Sequence, residues 1–192
     1  MTVPHLRMRA DRSVLVLIDY QTRLMPAIHD SEEVLRRAGF VAQVARLLGV
    51  PAIATAQNPA RLGPNVEAVA AHLDSDAIVD KLSFGACDGG LDDALARLGH
   101  DTAGHELDAV VAGCEAHVCL LQTALGLVES GRRVWVVADA SGSRRPQDAR
   151  AAYERLAHAG ATVVTAEMVA FEWLGTAANP AFKSVSALVK AL

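Results

Sequence analysis

Residues 107–131, "LDAVVAGCEAHVCLLQTALGLVESG", join a short apolar run directly to a longer helical pattern. The run "LDAVVAG" is rich in valine and stops at a glycine, which is typical of a short buried strand. The stretch after it repeats apolar residues at helical spacing and ends at Gly131, where a left-handed helix cap fits. A strand that feeds directly into a helix predicts a βα unit of an α/β protein.

The strand pattern recurs elsewhere in the chain. Similar apolar runs are "SVLVLID" (13–19), "VPAIAT" (50–55), "AIVD" (77–80), "RVWVVAD" (133–139) and "ATVVTA" (161–166), and helical patterns cover 31–49, 90–99, 116–131 and 146–160. Because strands this apolar must be covered on both faces, we predict a three-layer α/β/α Rossmann-like fold with a mainly parallel six-stranded sheet. No linker or repeat interrupts the pattern, so residues 1–192 are predicted to form a single domain.

Composition narrows the functional classes. The 192 residues carry a net charge of −4, and the scattered arginines lack interleaved aromatics, so we expect no nucleic-acid partner. The apolar run "VLVLI" near the amino terminus is too short for a signal peptide or a membrane span. Three cysteines without a secretion signal are an unpromising disulfide framework, so free thiols and a cytoplasmic location are expected.

Three chemically useful residues follow predicted strands. In doubly wound sheets, ligands bind beyond the carboxyl ends of the strands, where the strand order reverses. Asp19 ends the first strand, Lys81 follows the third, and Cys119 lies in the first turn of the helix after the fourth. If the first and fourth strands are neighbours, the acid, the ammonium and the thiol converge as an activated nucleophile. The alternatives are a structural strand-end acid, a solvated lysine and a small buried cysteine.

Position favours Cys119 over Cys114 as the nucleophile. A thiol at a helix amino terminus gains from the helix dipole and from free backbone amides, so we expect its pKa to be lowered. The same amides can hold a developing oxyanion. Cys114 and Cys119 with Glu115 and His117 are also metal-ligand types, but one short segment would have to supply every ligand, so no metal is expected.

The motifs together resemble those of a known family. The stretches "VLVLIDYQ", "KLSF", "VVAGCEAHVCLLQTAL", "VWVVADASGSR" and "AGATVV" are similar to the isochorismatase-like cysteine hydrolase superfamily over nearly the whole chain. With "QNPARLGP" and the tail "NPAFKSVSALVK", the chain looks closest to isochorismatase-domain-containing hydrolases of unassigned substrate.

The resemblance implies a set of site residues. The family's catalytic Asp, Lys and Cys map onto Asp19, Lys81 and Cys119, and its non-proline cis peptide would join Cys114 to Glu115. The backbone N–H groups of Glu115 and Cys119 would then form an oxyanion hole. We add four candidate pocket residues: Gln21, Gln57, Phe84 and Trp173. The alternative for Gln21 is a contact with loop backbone, and the alternative for Phe84 and Trp173 is packing in the core.

Two departures from the family shape the functional hypothesis. Metal-binding nicotinamidases carry an Asp and two His after the second strand, whereas this chain has "AQNPARLGP" there. Isochorismatases that cleave a vinyl ether lack the cysteine that is present here. The resemblance therefore implies a metal-independent, cofactor-free cysteine hydrolase that cleaves a small amide-like substrate through a thioester, and a homo-oligomer. A thiol redox or sensing protein using Cys114 and Cys119, and a non-catalytic interaction protein on the same fold, stay as alternatives.

Overall fold

The computed structural model describes residues 6–74, 76–99 and 107–192. Its strands are β1 (Ser13–Ile18), β2 (Ala52–Gln57), β3 (Ile78–Lys81), β4 (Asp108–Gly113), β5 (Val134–Val137) and β6 (Thr162–Val164). Its helices are α1 (Ser31–Leu48), α2 (Pro59–Leu62), α3 (Glu67–Ala70), α4 (Leu91–Leu98), α5 (Leu121–Glu129), α6 (Pro146–His158), α7 (Ala166–Leu174) and α8 (Phe182–Ala191). A π-helical turn, Ala116–Leu120, precedes α5.

The six strands form one parallel sheet in the order β3-β2-β1-β4-β5-β6. The predicted α/β fold with a six-stranded parallel sheet is therefore confirmed. The order reverses between β1 and β4, which pair from Ser13 with Asp108 to Ile18 with Gly113. The carboxyl ends of these two strands thus flank the switch point, where open α/β sheets bind ligands.

Side chains of each strand alternate between two apolar layers. In β1, Leu15 and Leu17 pack with α1, α7 and α8, whereas Val16 and Ile18 pack with α4, α5 and α6. Helices on both faces leave the sheet without a wet side, which explains why its central strands are almost continuously apolar. All six residues of β1 and all six of β4 are buried.

Gly113 permits a close approach between β4 and the end of β1. A Cβ atom at this position would lie 2.5 Å from both the Cβ and the carbonyl oxygen of Ile18. The absence of a side chain lets the chain continue into Cys114, whose N–H donates to the Ile18 carbonyl over 2.9 Å. This contact brings the turn after β4 against the end of β1.

The carboxyl-terminal helices were not part of the sequence prediction. The sixth apolar run was predicted to extend to Ala166, but β6 ends at Val164 and α7 begins at Ala166. The Thr165 hydroxyl accepts from the Met168 N–H over 3.4 Å, the position of a helix amino-terminal cap. Within the described ranges, none of the helices has the length and apolar character needed to cross a membrane.

Candidate active site

Asp19 lies immediately beyond β1 in a left-handed backbone conformation, with φ of 56°. Its side chain has no solvent exposure. Carboxylate oxygen Oδ1 accepts a hydrogen bond from Thr55 Oγ1 at 2.6 Å, and Oδ2 accepts from Lys81 Nζ at 2.7 Å. A buried carboxylate needs such partners, because it has lost its water. Asp19 is thus oriented by two side chains from neighbouring strands.

Lys81 ends β3, two strands away from β1, and its side chain is fully buried. Besides Asp19, its ammonium nitrogen donates to Gln57 Oε1 at 2.8 Å and to the carbonyls of Ser83 and Phe84 at 3.3 and 3.2 Å. Four oxygens therefore surround a group that has three protons. This environment keeps a buried cation in a fixed place beside the Asp19 carboxylate.

Cys119 belongs to the π-helical turn and is only 6% exposed. Its thiol lies close enough to both Asp19 and Lys81 for the two groups to shift its pKa. The three candidate catalytic residues therefore converge at the switch point, although they come from β1, β3 and the segment after β4. The turn that presents the thiol is closed by the Leu120 N–H, which donates to the Glu115 carbonyl five residues back over 3.2 Å. Single π-helical turns of this kind are frequent at functional sites.

The acidity expected for the Cys119 thiol is wrong. We predicted a lowered pKa from the helix dipole, but burial, followed by the nearby Asp19 carboxylate, raises the pKa of Cys119 to about 12. Lys81 opposes this shift without overcoming it. The physical reason is that burial removes the water that would stabilise a thiolate. The Lys81 ammonium favours the thiolate, but it is already paired with a carboxylate, so its effect is smaller than the cost of burial. The thiol is therefore protonated near neutral pH.

The turn between β4 and α5 leaves one backbone amide without an acceptor among the described residues. The peptide bond between Cys114 and Glu115 is cis. In the part of the chain that the structure describes, the Glu115 N–H has no hydrogen-bond acceptor, whereas the next amide, of Ala116, donates to the Gly142 carbonyl over 2.7 Å. The Glu115 side chain is paired with Arg144, whose Nε lies 2.7 Å from Oε1. In this part of the structure, the Glu115 amide is therefore available to a ligand, whereas the Ala116 amide is not.

The four candidate pocket residues separate into different roles. Gln57 contacts Lys81 as described above, and the Phe84 ring is 54% exposed beside it. Gln21 is buried, and its amide nitrogen donates to the carbonyls of Gln57 and Gly63 at 3.1 and 2.6 Å. Its side chain therefore satisfies loop backbone, the alternative already considered.

Trp173 does not join this group, which corrects its assignment to the pocket. It is 3% exposed in the core, and its indole nitrogen donates to Ser13 Oγ over 3.0 Å. Ser13 begins β1 and Asp19 lies six residues further along the chain, about 20 Å away at 3.3 Å per residue, so Trp173 is at the opposite end of the strand from Asp19. An apolar residue in a carboxyl-terminal helix gave no sequence signal of which end of the sheet it would reach.

Thr55 is a site residue that the sequence reasoning missed. It is fully buried near the end of β2 and donates to Asp19. The available signal was a hydroxyl residue inside the otherwise apolar run "VPAIAT", but it was interpreted as the boundary of the strand. Across residues 6–74, 76–99 and 107–192, no cluster of three or more His, Cys, Asp or Glu side chains is arranged to hold a metal ion.

The fold and the site define a doubly wound α/β protein whose switch point holds a buried carboxylate, ammonium and thiol. Comparison with known families refines this class: the isochorismatase domain model matches residues 13–168. The chain therefore belongs to the isochorismatase family, a family of hydrolases.

Individual relatives agree with this assignment. The chain is 33% identical over 178 residues to isochorismatase domain-containing protein 1 of Danio rerio, covering 93% of this chain and 61% of the relative's length. Among solved structures, the MAR1 ribonuclease from Caenorhabditis elegans matches with a TM-score of 0.87 and 31% identity over 96% of this chain and 92% of that one. The octameric YcaC hydrolase of Escherichia coli matches with a TM-score of 0.84 over 99% and 98% of the two chains, but at 22% identity it supports the fold alone.

Proposed function

We propose that this chain is a metal-independent cysteine hydrolase that cleaves a small amide-like substrate through a thioester on Cys119. The observation that carries the proposal is the convergence of Asp19, Lys81 and Cys119 in one buried cluster. A carboxylate within reach of a protonated thiol supplies the base that this nucleophile requires. Residues 1–192 act as one domain in this proposal, because the strands that carry the site belong to a single sheet.

The first half-reaction forms the thioester. The Asp19 carboxylate accepts the proton of the Cys119 thiol while sulfur attacks the substrate carbonyl carbon, and the N–H groups of Glu115 and Cys119 stabilise the oxyanion. Asp19 then donates that proton to the departing amine as the carbon–nitrogen bond breaks. Lys81 stabilises the negative charge that passes between Asp19 and Cys119.

The second half-reaction regenerates the enzyme. Asp19, again a carboxylate, accepts a proton from water as its oxygen attacks the thioester carbonyl. The carbon–sulfur bond breaks, and Asp19 returns the proton to the Cys119 thiolate, which leaves a carboxylic acid product. Asp19 accepts and donates every proton that is transferred in the two half-reactions. Its carboxylate is held in place for this role by hydrogen bonds from Thr55 and Lys81.

A substrate panel tests the proposal. Wild type, Cys119→Ala and the matched variant Cys114→Ala would be assayed against primary amides, carbamoyl compounds and anilides. We expect Cys119→Ala to lose turnover and to lose the acyl adduct seen by mass spectrometry, while Cys114→Ala retains both. Full turnover by Cys119→Ala against a compound that wild type hydrolyses would contradict the mechanism.

Two further experiments on the thiols, peroxide treatment and electrophile labelling, separate the alternative functions. A disulfide between Cys114 and Cys119 after mild peroxide treatment would favour a redox protein, although Cys114 has no solvent exposure, which limits the access of peroxide to its thiol. No labelling of Cys119 by electrophiles would favour a non-catalytic interaction protein. RNA belongs in the panel because the C. elegans neighbour is named a ribonuclease, but the net charge of −4 favours small molecules.

Assembly and location complete the proposal. We infer a homo-oligomer, supported by the exposed apolar side chains of Leu82 and Phe84, which are 76% and 54% accessible beside the site. Light scattering on the purified chain gives the number of subunits, and a monomer would contradict this inference. A cytoplasmic location is proposed from the three free thiols.

A further inference from the structure

Thr123 joins two segments of the candidate active site through one hydroxyl group. It is fully buried one turn after Cys119. Its Oγ1 donates to the Cys119 carbonyl over 2.7 Å and accepts from the Ala86 N–H over 3.0 Å. The first contact is ordinary for a threonine in a helix, but the second reaches a segment 37 residues away in sequence.

That distant segment, 82–87, holds the Lys81 ammonium. The Ser83 and Phe84 carbonyls accept from Lys81 Nζ at 3.3 and 3.2 Å. Two side chains hold this segment by hydrogen bonds. At its start, Gln57 Nε2 donates to the Leu82 carbonyl over 2.8 Å, and near its end the Thr123 hydroxyl accepts from the Ala86 N–H. The position of the two carbonyls, and with them the ammonium, therefore depends on both hydrogen bonds.

The packing around this link is close. A Cβ atom on Gly126 would lie 3.0 Å from Cys87 Sγ, and one on Gly89 would lie 2.7 Å from the Cβ of Lys81. Cys87 Sγ is also 3.7 Å from the Thr123 carbonyl that it contacts as a weak donor. Segment 82–87 is thus seated against the first turns of α5, the element that follows Cys119.

We propose that Thr123 is a positioning residue that couples the carbonyls around Lys81 to the turn carrying Cys119, and so sets the reactivity of the thiol. The coupling keeps the ammonium at a fixed distance from sulfur, where it offsets part of the penalty that burial imposes on a thiolate. This inference deepens the proposed function, because it concerns the same thiol, but its test needs no turnover.

The test compares Thr123→Val, which keeps the shape of the side chain without its hydroxyl, with Thr123→Ser, which keeps the hydroxyl. Iodoacetamide labelling of Cys119 would be followed by peptide mass spectrometry from pH 7 to 10, with glutathione in the same solution as the reference thiol. We expect labelling of Cys119 in Thr123→Val to be about tenfold slower at each pH, equivalent to one pKa unit, and Thr123→Ser to follow wild type. An unchanged Cys119 rate in folded Thr123→Val would overturn the inference, since it would reduce Thr123 to a partner for a buried amide.

A second variant covers the case in which Thr123→Val fails to fold. Ala86→Pro removes the donor on the loop side and adds a ring at a buried position, and the φ of −82° at Ala86 suits proline. We expect the same slowing at Cys119, and an unchanged rate would overturn the inference. If wild type hydrolyses nothing in the panel but Thr123→Val slows labelling, the proposed function fails and the coupling stands. If Cys119→Ala abolishes turnover while Cys119 in Thr123→Val is labelled as fast as in wild type, the proposed function stands and the coupling through Thr123 fails.

Discussion

Lys81 Nζ lies 2.7 Å from Asp19 Oδ2, and neither side chain has any surface exposed to solvent. Taking both charges out of water is costly, and their attraction offsets that cost only because further oxygens complete the shell of the ammonium. A buried pair of this kind is weak evidence for stability, since apolar residues of the same volume often stabilise a fold better. Its presence near the Cys119 thiol is therefore best explained by the chemistry of the site.

Removal of one charge should destabilise the fold strongly. Lys81→Met leaves the Asp19 carboxylate buried without its counterion, and we expect the free energy of unfolding to fall by about 3–5 kcal/mol. The double variant Asp19→Asn, Lys81→Met removes both charges and should recover part of that loss. Urea denaturation of wild type, the two single variants Lys81→Met and Asp19→Asn, and the double variant measures this coupling. A double variant whose loss equals the sum of the single losses would argue that the two groups act independently.

The hydroxyl of Thr55 should matter for turnover. Thr55→Val removes the donor to Asp19 Oδ1, and a hydrogen bond to a charged group contributes about 1.5–3 kcal/mol. We expect kcat to fall by about tenfold to a hundredfold on a substrate found in the panel, with KM little changed, because Asp19 acts in the transition state. Thr55→Ser retains the hydroxyl and should keep most of the activity. Equal losses in the two variants would point to packing instead.

Labelling of Cys119 should reveal a thiol of low acidity. Since burial and the Asp19 carboxylate raise its pKa to about 12, the thiolate fraction grows about tenfold for each pH unit below that value. We expect the iodoacetamide rate at Cys119 to rise log-linearly from pH 7 to 10. A plateau near pH 8 would show instead that Lys81 and the helix dipole dominate the thiol.

Alkaline solution should destabilise the protein through its buried thiols. Burial raises the pKa of Cys114 from 9.0 to about 12, so the unfolded chain releases this proton at a lower pH than the native chain. The stability from this group is complete below pH 9 and is lost as the pH rises towards 12, by at most about 1.4 kcal/mol per pH unit. Urea denaturation at pH 8, 9 and 10 should show that decline. Cys114→Ala lowers stability at every pH but should reduce the slope, and an unaltered slope would exclude Cys114 as its source.

A methyl group at Gly113 should disrupt the switch point. The added Cβ would meet Ile18 at 2.5 Å, a distance at which the backbone of β1 or β4 must move. We expect Gly113→Ala to cost more than 3 kcal/mol, roughly the upper range for overpacking, or to prevent folding. Gly85→Ala is the matched control, because a Cβ there would have its nearest neighbour at 3.6 Å, an ordinary contact. Similar melting temperatures for the two variants would show that the sheet accommodates the methyl group.

Local sequence patterns were sufficient for the elements that carry the site. Each of the six predicted strands is present, because a run such as "VVAG" combines β-branched residues with a clear stop. The longer helices were equally predictable from apolar spacing, whereas α7 and α8 were missed. The positions of Asp19 and Cys119 beyond strand ends, and of Lys81 at one, also followed from the sequence.

Electrostatic environment was beyond such patterns. The expected acidic thiol at Cys119 proved wrong because its burial depends on α4, α5 and α6 packing together over the sheet. Thr55 and Thr123 were inconspicuous for the same reason, since their hydroxyls bond to residues 36 and 37 positions away. Trp173 was assigned to the wrong end of the sheet because the local sequence does not indicate which end of a strand a helix will pack against.

The sequence by itself determined the strand and helix alternation, and with it the parallel sheet that places its polar residues at the carboxyl ends of strands. Only the tertiary structure decided which of them meet, because the order β3-β2-β1-β4 brings Asp19, Lys81 and Cys119 together from three separate segments. It also decided their protonation, since a pKa depends on the water excluded and the charges gathered around a group in space. The sequence specifies which chemical groups are present, whereas their reactivity depends on how distant parts of the chain pack together.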